Sequence, residues 1–194
     1  KDILDLTRML GEIPGLNDIP LSTNAHLLPS MALKLKNHGI NRANISIDSL
    51  IPERFKEITR DGDLETVIKG IDAAIAVGMK PIKLNMVVMK GTNDNEIESM
   101  IEFAINRGLD LRFIETMPIG LAGIEVVDRH FSEKDILDRV NATYGNRLTA
   151  LDSKPTDGPA KALKIEGTNT SIGTISAVSN NFCSSCNRVR LTAM

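Results

Sequence analysis

An α/β fold built from parallel β-α units, a barrel or part of one, is predicted by three observations. Amphipathic helical stretches end at glycine, apolar β-rich runs follow within a few residues, and polar residues gather where those runs end. Gly39, Gly78 and Gly108 occupy the helix-to-strand junctions, where a left-handed residue often closes a helix. The predicted strands are 19–23, 43–48, 82–88 and 111–115, each followed by a helix. Before Gly78, the residues Leu64, Val67, Ile68, Ile71, Ala74 and Ile75 recur at spacings of three and four and give one apolar face. Ile97, Met100, Ile101 and Ala104 repeat the pattern before Gly108, with Asn93 and Glu96 spaced as a capping box at the start. Strands alternating with helices require parallel pairing through right-handed crossovers. The chain should therefore divide into a barrel region over residues 1–150 and a β appendage over 151–194. In the second region Pro155, Gly158, Pro159, Gly167 and Gly173 interrupt the chain, and 174–178 is short and β-rich.

The 194 residues suffice for a sizeable core, and no apolar run approaches the roughly 20 residues needed to span a bilayer. A formal net charge of −2 gives no reason to expect nucleic acid as a partner, because phosphate backbones need a surplus of Lys and Arg. No dinucleotide glycine fingerprint and no phosphate-binding P-loop is present. Lys1 is not an initiator methionine, and neither end reads as a tail, so an internal piece of a longer polypeptide is expected.

In barrels of parallel strands the working residues lie where strands pass into loops. Those positions hold Ser22, Thr23 and Asn24; Ser46 and Asp48; Lys83 and Asn85; Glu115 and Met117. A lysine flanked by Ile82 and Leu84 needs a negative partner, either a ligand phosphate or, by reaching the rim, Asp48 or Glu115. Met117 reads equally as a core or rim hydrophobe, and Ser22 and Ser46 as strand-end hydrogen bonders. His26, His38 and His130 lack metal-ligand spacing and read as surface or structural residues.

The two cysteines, Cys183 and Cys186, form a single C-x-x-C pair that suits a reducing compartment. Two thiolates can hold one metal atom, whereas a closed zinc site needs about four ligands and an iron-sulfur cluster three or four cysteines. Zinc, an iron-sulfur cluster and a redox dithiol all stay open, the last disfavoured because the motif does not open a helix in an early βαβ unit. Arg188 and Arg190 would project from one face of an extended strand. Two guanidiniums beside a metal site can grip carboxylate or phosphate.

The strings L-S-T-N-A (21–25), N-I-S-I-D-S-L (44–50), I-K-L-N (82–85), K-G-T-N-D (90–94), R-F-I-E-T-M-P (112–118) and F-C-S-S-C-N-R-V-R-L (182–191) together resemble the GTP 3',8-cyclase family of molybdenum cofactor biosynthesis. Its members are radical S-adenosylmethionine enzymes, and the resemblance runs the length of the chain. It implies a partial (β/α)6 TIM-type barrel whose N-terminal strands lie outside the chain, with a small C-terminal β appendage. It also implies two 4Fe-4S clusters: one cleaves S-adenosylmethionine to a 5'-deoxyadenosyl radical that abstracts hydrogen from C3' of GTP, and the other is an auxiliary cluster with three cysteine ligands. By this resemblance Cys183 and Cys186 are auxiliary-cluster ligands, and Ser46 and Met117 contact S-adenosylmethionine. Ser22, Lys83, Arg188, Val189 and Arg190 contact GTP, and Asn85 is a further candidate on the adenosyl side.

The resemblance further implies the cyclic pyranopterin monophosphate synthase as the next enzyme, an electron donor for cluster reduction, and compatibility with a homodimer. The location would be cytoplasmic in a bacterial or archaeal parent and the mitochondrial matrix in a eukaryotic one. The radical-cluster C-x-x-x-C-x-x-C loop is expected before Lys1 and the third auxiliary cysteine after Met194, so the chain alone is expected to be inactive. Ser22 stands where the family has threonine, and Ala25 where it has glycine. Two rival readings are another radical S-adenosylmethionine enzyme with an auxiliary cluster and a non-catalytic metal- or nucleotide-binding module.

Overall fold

Alternation of apolar and polar residues is what builds the sheet. Along Ile82–Val88, Ile82, Leu84, Met86 and Val88 are buried while Lys83, Asn85 and Val87 are half-buried, as expected when successive side chains point to opposite faces. The computed structural model describes residues 2–117, 128–152 and 160–180. Its elements run α1 (Ile3–Gly11), β1 (Ile19–Thr23), α2 (Leu28–Asn37), β2 (Ile40–Ser46), α3 (Pro52–Thr59), α4 (Leu64–Ala76), β3 (Ile82–Val88), α5 (Ile97–Arg107), β4 (Asp110–Glu115), α6 (Glu133–Tyr144), β5 (Leu148–Ala150), β6 (Lys161–Ile165) and β7 (Ser171–Ile175). One seven-stranded sheet has the order β1-β2-β3-β4-β7-β6-β5. The first five strands of that order are parallel, and β6 and β5 add antiparallel at the far side.

The helices cover one face. Their apolar stripes, among them Leu64, Val67, Ile71 and Ala74 of α4 and Ile97, Met100, Ile101 and Ala104 of α5, join the strand residues Ile45, Leu84, Met86, Leu111 and Phe113 in one core. The predicted strands at 19–23 and 82–88 match β1 and β3. β2 starts earlier than predicted and ends at Ser46, although the Ile47 N–H still reaches the Asn85 carbonyl at 2.9 Å. The run expected at 174–178 is the strand Ser171–Ile175, and it does not stand apart. It pairs parallel with β4, Leu111 opposite Ile172, so the β-rich C-terminal part of the described chain is continuous with the barrel sheet.

One local expectation is revised. Asn93 and Glu96 form no capping box: Asn93 makes no side-chain cap bond, because its amide is engaged by the ends of two strands and the Glu96 carboxylate by the loop after β2. True caps sit instead at Asp63, which accepts from the Glu65 and Thr66 N–H groups, and at Ser132, which forms a reciprocal box with Asp135. Ala25, standing where the family has glycine by the resemblance, adopts φ 61°, a left-handed conformation that glycine reaches most cheaply. α4 passes close above it: a Cβ on Gly70 would lie 2.2 Å from the Ala25 carbonyl oxygen.

Candidate functional site

The face of the sheet opposite the helices carries the polar residues in two adjacent rows. Strand register places Ser22, Asn44, Lys83 and Asp110 side by side across β1 to β4. Two residues further along, Ser46, Asn85, Arg112 and Gly173 form the next row across β2, β3, β4 and β7. Neighbouring strands are about 4.8 Å apart and the rows about 6.7 Å, so one small ligand can touch both. The sequence candidates Ser22, Lys83, Ser46 and Asn85 are therefore brought together. Ser22 and Ser46 are exposed on this face.

Two observations indicate that the face is built for a polar ligand. The Oδ1 of Asn85 is buried without a hydrogen-bond partner, an arrangement that costs about 1–3 kcal/mol unless something else donates to it. Beside it, the Arg112 Nη1 donates to Asn44 Oδ1 at 3.4 Å. A cavity of about 350 Å³ opens between β3, β4 and β7, lined by Lys83, Asp110, Arg112, Asp152, Ser171 and Gly173. Asp110 is held there by the backbone N–H and hydroxyl of Ser171, at 3.1 and 2.6 Å. Arg112 was given no role on sequence grounds, yet alternation along β4 puts it on the same face as Lys83 and could have marked it.

The C-terminal rim is fixed by buried polar side chains. The Asn93 amide donates to the carbonyls of Asp48 and Val87, at 2.7 and 2.9 Å, and its oxygen accepts from the Met89 N–H at 2.7 Å. Glu96 accepts from the Ser49 hydroxyl, the Leu50 N–H and the Arg54 guanidinium, tying the loop after β2 to the start of α5. Asp48 accepts the Val87 N–H at 2.8 Å; burial pushes its carboxyl above the ordinary value, with that N–H opposing. At the end of β4, Glu115 accepts from the Glu133 N–H at 2.7 Å and from the Val178 and Ser179 N–H groups at 2.9 Å each. Burial raises the Glu115 carboxyl, but the Ser179 hydroxyl and the three N–H groups outweigh it and hold it below the ordinary value. The hydrogen bonds described for Asp48 and Glu115, the two carboxylates considered as partners for Lys83, thus go to backbone amides and to Ser179.

Met117 follows Glu115 and Thr116 at the rim and is 43% exposed, a rim rather than a core residue. His26 is exposed, His38 is half-buried, and His130 is half-buried in an isolated bridge to Met89. Cys183, Cys186, Arg188, Val189 and Arg190 lie outside the described residues. Among the described residues no group of three or more His, Cys, Asp or Glu side chains is placed to hold a metal ion, and no helix is long and apolar enough to cross a membrane.

Comparison with known proteins gives a consistent picture. Residues 1–104 match the Radical SAM superfamily model and residues 109–194 the Molybdenum Cofactor Synthesis C model. A GTP 3',8-cyclase of Hydrogenovibrio crunogenus is 57% identical over 179 residues, covering 92% of this chain and 54% of that protein. One from Petrotoga mobilis is 43% identical, covering all of this chain and 59% of that protein. The chain thus spans little more than half the length of these relatives. Among solved structures, the radical SAM enzyme coproporphyrinogen III oxidase of Escherichia coli superimposes over 90% of this chain and 47% of its own, with a TM-score of 0.58 at 15% identity. That likeness speaks to the fold alone.

Proposed function

We propose, from the premise that this chain belongs to the radical SAM superfamily, that it is the central part of a GTP 3',8-cyclase. The whole enzyme would convert GTP to (8S)-3',8-cyclo-7,8-dihydroguanosine 5'-triphosphate in molybdenum cofactor biosynthesis. The observation that carries the proposal is the pairing of two polar rows on the open face of the sheet, with the unpartnered Asn85 oxygen between exposed hydroxyls and cationic side chains. A nucleoside ligand, rich in N–H and hydroxyl donors and bearing phosphate, matches that set.

S-adenosylmethionine bound with a reduced iron-sulfur cluster supplies the radical that begins the reaction. The chain's own residues bind and orient. Ser46 and Met117, at the C-terminal ends of β2 and β4, would receive S-adenosylmethionine, with Asn85 accepting from the adenosyl side. Ser22 and Lys83, one row below, would receive GTP, Lys83 facing the phosphates. Arg188, the Val189 backbone and Arg190 would complete that contact, and Cys183 and Cys186 would supply two ligands of an auxiliary cluster. Residues 1–150 would form most of the nucleotide-facing barrel, and 151–194 would add β6 and β7 to its sheet before leading into the cluster region. A reductant would serve the clusters, and the product would pass to the cyclic pyranopterin monophosphate synthase in the same compartment, cytoplasmic in a bacterium.

Kinetics of the parent enzyme test the division of labour between the rows. Lys83→Ala should raise KM for GTP by about 10- to 100-fold, the range of a lost charge-assisted hydrogen bond, and leave KM for S-adenosylmethionine unchanged. Ser46→Ala should affect only S-adenosylmethionine. Both variants moving the same constant would overturn the assignment. The 194-residue chain by itself should show no turnover.

A further inference from the structure

Beyond Ser46 and Asn85 the main-chain ladder between β2 and β3 stops, and side chains take it over. The register runs from Ala43 opposite Ile82 to Ser46 opposite Asn85, and the Ile47 N–H still donates to the Asn85 carbonyl at 2.9 Å. The evenly spaced bonds of a parallel pair would next send the Val87 N–H to the Ile47 carbonyl. It goes instead to Asp48 Oδ1 at 2.8 Å. The carbonyls of Asp48 and Val87 both accept from Asn93 Nδ2, at 2.7 and 2.9 Å, and Asn93, fully buried, takes the Met89 N–H on its oxygen. On its other side β3 keeps its register with β4 as far as Val88 opposite Glu115, and the Thr116 hydroxyl donates to the Val88 carbonyl. It is therefore β2 that leaves the sheet, and Asp48 and Asn93 bridge the gap it opens.

We propose that Asp48 and Asn93 are positioning residues: together they form a side-chain wedge that sets how far the ends of β2 and β3 spread, and so the separation of Ser46 from Asn85. For the ligand's identity this rests on the functional reading above, in which Ser46 and Asn85 receive S-adenosylmethionine. An amide suits the task, because its two N–H donors span two carbonyls while its oxygen accepts a third group. Asn93 has no exposed surface, so it acts through the strand ends it joins rather than by touching a ligand. The row of Ser22, Asn44 and Lys83 lies inside the regular ladder and does not depend on the wedge.

The test uses the parent enzyme with its clusters loaded, and as probe S-adenosylhomocysteine, the thioether analogue that cannot be cleaved to a radical. In the wild type, the Val87 and Met89 amides should exchange with deuterium at least about tenfold more slowly than fully exposed amides, and exchange at the exposed rate would overturn the wedge without any variant. Asn93→Asp keeps the acceptor for Met89 but replaces both donors with an oxygen facing two carbonyls. It should weaken S-adenosylhomocysteine binding by about tenfold or more and leave GTP binding within about twofold of the wild type. Asp48→Ala, which strands only the Val87 N–H, should shift the same constant by about threefold and carries the test if Asn93→Asp does not fold. Val140→Ala, a cavity in the buried face of α6, controls for lost stability and should move neither constant. Equal weakening of both ligands in the wedge variants, or the same weakening in Val140→Ala, would overturn the proposal. Unchanged binding of the analogue would also overturn it, and Ser46→Ala tells why. If that variant weakens the analogue, the wedge alone has failed; if it does not, the assignment of this row to S-adenosylmethionine has failed first.

Discussion

Asp48 and Glu115 stand on either side of β3 at the same rim of the sheet, and the protein holds them in opposite ways. Asp48 receives one backbone N–H and its carboxyl is pushed up by burial; Glu115 receives three and its carboxyl is held down. Burial acts on both. The balance is decided by the number of donors the fold aims at each, since hydrogen bonds to the charged form offset the cost of removing it from water. On the β2–β3 side the uniting group is instead neutral: Asn93 joins the Asp48 and Val87 carbonyls to the Met89 N–H. One side of the rim is thus knitted by an amide and the other by a charge.

The largest effect should come from breaking the charged side. Glu115→Ala strands three N–H donors and should lower stability by about 3–5 kcal/mol, read from the shift in the urea midpoint. Asn93→Ala leaves two carbonyls and one N–H without partners and should cost about 2–4 kcal/mol by the same measurement. A larger loss for Asn93→Ala than for Glu115→Ala would reverse the ranking of the two sides.

Acid titration sharpens the contrast through its sign. A carboxyl whose folded pKa is depressed stabilises the fold above its unfolded pKa, and that contribution is lost as pH falls through the folded value. Glu115 should therefore lose stability from about pH 4.5 downward, its ordinary value being 4.5, and Glu115→Gln should flatten the acid limb of stability against pH. For Asp48, ordinarily 3.8, the folded pKa is raised, so its contribution is full below 3.8 and lost as pH rises through the folded value. Asp48→Asn should steepen the acid limb. The smallest effect is that of Asp48→Asn at pH 7, a change of under about 1 kcal/mol, because the amide oxygen can still accept the Val87 N–H, more weakly, and relief of a buried charge offsets the difference.

Much of the fold could be read from local pattern. The stripe from Leu64 to Ile75 gave α4, and the strict alternation of 82–88 gave β3 to the residue, because each pattern repeats within the element it describes. The placement of Ser22, Ser46, Lys83 and Asn85 on one face follows from parity along each strand together with the register between strands. The rim was not legible, because its contacts join distant residues. Asn93 reaches Asp48 across 45 positions, and Glu115 reaches Val178 across 63. Asn93 and Glu96 were misread for that reason: their spacing fits a local cap, while tertiary partners claim both side chains. Arg112 was given no role, although alternation along β4 puts it on the face that carries Lys83.

The pairing of β7 with β4 bears on the order in which the molecule assembles. The β-α units from β1 to β4 join neighbours close in sequence, whereas β7 must return across α6 and the β5–β6 hairpin to find β4. Closing so long a loop is entropically costly before any contact rewards it, so this strand should dock after the rest of the parallel sheet has formed.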